Sequence, residues 1–186
     1  MLKKKLVIMF VLLTLSTSTV AFAAPIQDLE KGDLDVDVMI HDSKNNHNFS
    51  FEYQLTDTLG VGYENTDWKH GYTTNQTFAQ FKASPSSKFI VGNINIDSRS
   101  ISIYGAGFSG ILNDDANYYG SILTGHDVQE SQIGVMYKLT DDNDWKLNFN
   151  YRTFKYKENE RKNSFYWGVS YRFNTSSNDY DDYDDY

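Results

Sequence analysis

The chain has no cysteine, which excludes disulfides, thiol catalysis and cysteine-ligated metal. Proline occurs only at Pro25 and Pro85, so almost the whole sequence is free to form uninterrupted hydrogen-bonded ladders. Beyond residue 23 there is no run of even ten apolar residues, and a helix that crosses a bilayer needs roughly 20. Positive charge is scarce as well: 17 Lys and Arg stand against 25 Asp and Glu. Nucleic acid and anionic lipid surfaces repel such a chain, so no nucleic-acid partner is expected.

The one apolar run lies at the start. Lys3, Lys4 and Lys5 precede Leu6 to Leu15, and Ala21-Phe22-Ala23 puts small residues at the positions a signal peptidase reads. This is the pattern of a secretory signal peptide, expected over residues 1–23 with cleavage after Ala23. Residues 24–31 then form a lead into the first strand. Without residues 1–23 the chain carries 14 basic and 25 acidic side chains, a charge of −11. It is expected outside the cytoplasm, either soluble or as a membrane barrel.

What the chain does have is aromatic residues in alternation with polar ones. Aromatics make up 16% of it, with 14 Tyr and 12 Phe, and they favour strands and membrane interfaces. From Gly32 onward the dominant period is two. Leu34, Val36, Val38 and Ile40 alternate with Asp35, Asp37 and Met39, and Asp33 extends the acidic face. Phe49, Phe51, Tyr53 and Leu55 alternate with Ser50, Glu52 and Gln54. Leu59 to Glu64 follows, with Gly60 and Gly62 on the polar face; a polar loop is expected over Asn65 to Asn75.

Thr77 to Ala83 is a further strand, ended by Pro85. In Lys88 to Ile96, the apolar set Ile90, Gly92, Ile94 and Ile96 faces away from Asn93 and Asn95. Ile101 to Leu112 and Tyr118 to Thr124 are strand-like, but their glycines leave open which face points outward. Polar Gly125 to Ser131 reads as a loop before Ile133 to Leu139. Trp145, Leu147, Phe149 and Tyr151 alternate with Lys146, Asn148, Asn150 and Arg152. The last strand, Phe165 to Phe173, has a complete apolar face of Phe165, Trp167, Val169, Tyr171 and Phe173.

The count is ten strands of about 9 to 11 residues, the length that crosses a bilayer when tilted; eight is the alternative if Ile101 to Thr124 is not two strands. Odd-numbered links read as longer than even ones, the alternation of a membrane barrel with both termini in the periplasm. A soluble sandwich also alternates. It would not, however, bury the charges on the opposite faces. The expected fold is therefore an all-β, transmembrane, antiparallel up-and-down barrel over residues 32–173, with an acidic, low-complexity tail over residues 174–186 expected to be disordered.

The ending Tyr166-x-Gly168-x-x-Tyr171-x-Phe173 resembles the C-terminal insertion signal of outer-membrane barrels, and the whole chain resembles small OmpA/OmpX-type barrels. Residues Pro25 to Gly32 also resemble the mature start of small barrels of diderm bacteria. The resemblance implies an outer-membrane location after export, contact with outer-membrane lipid and the barrel-insertion machinery, and a monomer. It transfers no catalytic residue. That family usually stops at the terminal Phe, whereas thirteen residues follow Phe173 here.

Three constellations carry candidate chemistry. Closure of first strand on last would bring Asp33, Asp35 and Asp37 near Arg172, with Glu52 and Glu64 on one flank and Lys146 and Arg152 on the other. Such a set either fills a narrow lumen with paired charges or lines a porin-like path for ions or small solutes. His41, His47, His70 and His126 all fall in odd-numbered links, yet no ligand spacing appears, so neither metal nor cofactor is expected. His126-Asp127 with Asp67 or Asp97 resembles the rim pairs of omptin proteases, which would make the chain a rim hydrolase. Its links are short for such a cleft, and it is expected not to be an enzyme.

Overall fold

The computed structural model describes residues 29–41, 47–68, 72–139, 144–158 and 161–174. The expected signal peptide, most of the lead and nearly all of the acidic tail lie outside the described residues. Ten strands run in order: β1 (Leu34–His41), β2 (His47–Gln54), β3 (Leu59–Trp68), β4 (Tyr72–Ser84), β5 (Ser87–Ile96), β6 (Arg99–Asn113), β7 (Ala116–Gly125), β8 (Val128–Lys138), β9 (Trp145–Tyr156) and β10 (Lys162–Phe173). Each pairs antiparallel with its sequence neighbours, and β1 pairs with β10 to close a barrel. Closure leaves no sheet edge to template aggregation. The glycine-rich region is thus two full strands, and ten is the count.

The closing seam runs from Leu34 opposite Phe173 to His41 opposite Tyr166. Gly168 faces Met39 there, and a Cβ on it would collide with the Val38 carbonyl oxygen. Only glycine allows the two strands to approach so closely. At the β5–β6 link both residues have positive φ, Asp97 at 48° and Ser98 at 63°, as a two-residue type I′ hairpin requires.

Two expectations need correction. The links at the far end of the barrel, after β1, β3, β5, β7 and β9, hold 5, 3, 2, 2 and 5 residues; those at the end that carries the chain termini hold 4, 2, 2 and 6. The expected long–short alternation is absent because β3, β4 and β8 continue through segments read as loops. The second correction concerns β5, where Ile90, Ile94 and Ile96 are buried inside while Asn93 and Asn95 are exposed outside.

These two differences have one cause. From the terminal end upward, and over the whole of β1 and β2, the outer wall is apolar: Val38, Ile40, Phe49, Ile133, Tyr137, Trp145, Phe149, Trp167, Val169 and Phe173 are each between 38% and 50% exposed. Toward the far end the outward residues of β3 to β6 turn polar, with Asn65 donating to Asn75 at 2.8 Å and Ser102 donating to Asn93 at 3.2 Å. Inside that upper wall sits an apolar cluster of Trp68, Ile94, Ile96, Ile103, Leu123, Val128, Phe154 and Tyr156. The barrel therefore has two zones of opposite sidedness: a belt that is apolar outside and polar inside, and a collar that is polar outside and apolar inside.

Candidate functional site: a filled lumen

Inward positions follow the period of two, so the inner wall is set residue by residue along each strand. In the belt zone these positions carry charge. Asp35 and Asp37 on β1 and Asp33 just before it are all buried, and β10 sets Arg172 opposite Asp35. The Arg172 guanidinium lies 3.8 Å from Asp33, and Lys146 on β9 stands within electrostatic reach of all three aspartates. The Asp37 carboxylate accepts from Asn148 Nδ2 at 3.0 Å, from Ser50 Oγ at 3.4 Å and from Ser170 Oγ.

Across the lumen, Lys88 Nζ on β5 meets Glu52 Oε1 on β2 at 2.9 Å, with Gln80 Nε2 donating to the other Glu52 oxygen at 3.3 Å. One layer higher, Arg152 on β9 has no exposed surface and bridges Glu64 on β3 and Glu130 on β8. Glu64 also accepts from Asn48 Nδ2 at 2.8 Å and Thr66 Oγ1 at 2.6 Å, and Glu130 accepts from Gln76 Nε2. The Arg152 Cζ lies over the Trp68 ring, 5.4 Å from its centre, and that ring stacks on Phe154 at 4.7 Å. The charge layer thus ends directly beneath the apolar cluster of the collar.

Two members of this network, Lys88 and Glu130, were not anticipated. Glu130 fell in a segment read as a loop, although Glu130, Gln132 and Gly134 continue the inward period of β8. Lys88 marked a strand start, and its partner lies 36 positions away in sequence. Period and charge sign were the only signals for either. The four residues of the terminal motif divide between the two sides of the wall. Tyr166 points inward and donates to the Asp67 carbonyl at 2.8 Å, and Gly168 lies at the seam. Tyr171 faces outward against Trp145 at 4.6 Å and Phe173 at 4.5 Å.

The rim residues do not converge on a cleft. His126 is 92% exposed beside Asp127 at 3.5 Å, whereas Asp67 is engaged by His47 at 2.9 Å and Thr73 at 2.8 Å. Asp97 occupies the β5–β6 turn, His41 is buried edge-on to Tyr166, and His70 lies outside the described residues. Among the described residues no three His, Asp or Glu side chains are grouped to hold a metal ion.

An apolar outer belt around a charged interior is the reverse of a soluble core and matches a wall that faces lipid. The chain has the fold of a transmembrane β-barrel. No protein-family model and no curated protein matches it. Solved structures similar to it include a de novo designed transmembrane β-barrel, 15% identical over 79% of this chain and all of that one at a TM-score of 0.39. The N-terminal β-barrel domain of Pseudomonas aeruginosa OprF is 13% identical over 78% of this chain and all of that one, with a TM-score of 0.41. The KdgM porin is 12% identical over 76% of this chain and 99% of that one, with a TM-score of 0.42. Likeness at this level adds nothing to the assignment, which rests on the strand pairing and the sidedness of the wall.

Proposed function

We propose that this chain is a non-enzymatic, monomeric, integral outer-membrane protein whose barrel is a closed scaffold acting through its far-end rim. Residues 1–23 serve as the export leader, and Tyr166, Gly168, Tyr171 and Phe173 as the signal read by the insertion machinery. The collar, polar on its outer side, supports placing the far end outside the membrane and both termini in the periplasm.

One observation carries the closed reading. The lumen is occupied at successive levels, by Arg152 and Glu64 with no exposed surface and then by Trp68, Ile94, Ile96 and Phe154 at 1% or less. An apolar constriction above a layer of buried ion pairs is a barrier to ions. The rival reading, a narrow porin-like channel, draws on a cavity of about 690 Å³ at the terminal end.

Planar-bilayer recording separates the two. The full barrel is expected to give no discrete openings, while replacing both Trp68 and Phe154 by Ala, if the variant folds, introduces them. Regular openings from the unaltered protein would overturn the closed reading. Export is checked separately by mass spectrometry of the membrane-extracted protein, whose first residue is expected to be Ala24.

A further inference from the structure

One patch of the outer wall is neither apolar nor charged. Val38 pairs with Val169, the middle residue of the apolar face of β10. The rung of paired residues that passes through Val38 crosses Phe49 and continues as Asn65, Asn75, Asn95 and Ser100. A second row, two residues nearer the terminal end on each strand, runs Thr77, Asn93, Ser102. Thr77, Asn93, Asn95, Ser100 and Ser102 are exposed, and Tyr104, 62% exposed, borders the second row on β6.

Asparagine is among the residues strands accept least readily, yet Asn65, Asn75, Asn93 and Asn95 hold outward positions on three neighbouring strands. They add nothing to the packed interior, and a locally unfavourable choice without a structural gain marks a functional surface. The patch also holds its own shape. Asn75 Oδ1 accepts from Asn65 Nδ2 and from the Tyr63 hydroxyl, each at 2.8 Å, and Asn93 Oδ1 accepts from Ser102 Oγ at 3.2 Å. These bonds occupy acceptors and leave the Nδ2 donors of Asn75 and Asn93, with both ends of the Asn95 amide, for a ligand.

Height along the barrel says what lies against it. With strands about 4.8 Å apart and tilted near 40°, a rung climbs about 3 Å per strand, so Asn65 stands about 6 Å and Asn95 about 12 Å above the middle of the belt. A lipid-facing band about 25 Å tall ends near that level, which sets the patch against the headgroups. We propose that it binds the sugar headgroup of an outer-leaflet glycolipid, its amides and hydroxyls meeting the sugar hydroxyls and Tyr104 stacking on a pyranose face. A carboxamide both donates and accepts, which suits a pair of neighbouring hydroxyls, and an exposed ring offers its face to sugar C–H groups. Neither row contains the lysine or arginine that a phosphate headgroup calls for. The proposal rests on the reading that the far end of the barrel lies outside the cell.

Native mass spectrometry of the protein released from nanodiscs of equal parts phosphatidylcholine and digalactosyldiacylglycerol reads which lipid stays bound. The glycolipid is expected to be retained at least about threefold more often than phosphatidylcholine. Asn75→Val combined with Asn93→Val, both better strand residues, is expected to bring that ratio close to one, and Tyr104→Leu alone to lower it by about half. Thr153→Val, on the outer wall of β9, leaves it unchanged. Equal retention of the two lipids, or a preference that survives both the double variant and Tyr104→Leu, would overturn the proposal. Placement is read separately: His126, 92% exposed in the β7–β8 link, is replaced by Cys in this thiol-free chain, and a membrane-impermeant maleimide is expected to label it in intact cells. Absence of labelling would overturn the outer-leaflet placement, and with it the far-end reading, without touching a preference measured in nanodiscs, which present the glycolipid on both leaflets.

Discussion

Arg152 is the single residue on which most of the interior depends. It has no exposed surface, and two carboxylates, Glu64 and Glu130, share its guanidinium. Replacing it by Met keeps the bulk over Trp68 but leaves two buried carboxylates without their cation. Breaking a buried pair in this way costs about 3–5 kcal/mol, and the loss is expected in urea unfolding from lipid vesicles. Combining R152M with Glu64→Gln and Glu130→Gln removes the uncompensated charge and is expected to recover most of that loss. If R152M alone unfolds at the same urea concentration as the parent, the layer is not held by this charge. The sequence pointed to Arg152 and Glu64 as inward charges because both sit on strands of clean alternation. For Glu130 the only signal was the inward period it shares with Gln132 and Gly134, hidden because Gly125 to Ser131 has the composition of a loop.

At the scale of the strand, β5 explains why alternation is only partly legible. Its inward face runs Lys88, Ile90, Gly92, Ile94, Ile96, and its outward face runs Phe89, Val91, Asn93, Asn95. Each face changes polarity along its length, because the strand begins in the belt and ends in the collar. A period of two fixes which residues share a face, but it assigns a face to the outside only if the surroundings stay constant along the strand. Here they do not, and the upper isoleucines look like a lipid-facing stripe until their neighbours are placed. Ile94, fully buried against the collar cluster, therefore behaves as a core residue: Ile94→Ala is expected to cost about 2–5 kcal/mol. Asn95→Ala, one position along on the water side, should stay within about 0.5 kcal/mol. Both are read from the same unfolding curves, and a reversed order would put the isoleucine stripe back on the outside.

For the molecule as a whole, closure was legible from both ends of the sequence, since an aspartate-rich first strand and an Arg-bearing last strand have complementary inner faces. The position of the barrel along the membrane normal was not, because the two ends have links of similar length. It follows instead from where the outer wall changes character. The apolar belt spans four or five outward residues per strand, as on β10 from Phe165 to Phe173. At about 3.3 Å per residue and a tilt near 40°, that is roughly 20–25 Å, the height of the lipid-facing band of known barrels. Val169 lies mid-belt, in register with Val38 on one side and Leu147 on the other, whereas Asn95 lies in the collar. An arginine at the bilayer midplane of a barrel costs about 2–4 kcal/mol, falling toward zero at the interface. Val169→Arg is thus expected to destabilise the vesicle-embedded protein by about that amount and Asn95→Arg hardly at all. Both substitutions should be nearly silent in a detergent micelle that deforms around the added charge. Equal costs for the two in vesicles would mean that the belt boundary drawn across β3 to β6 is not where the lipid ends.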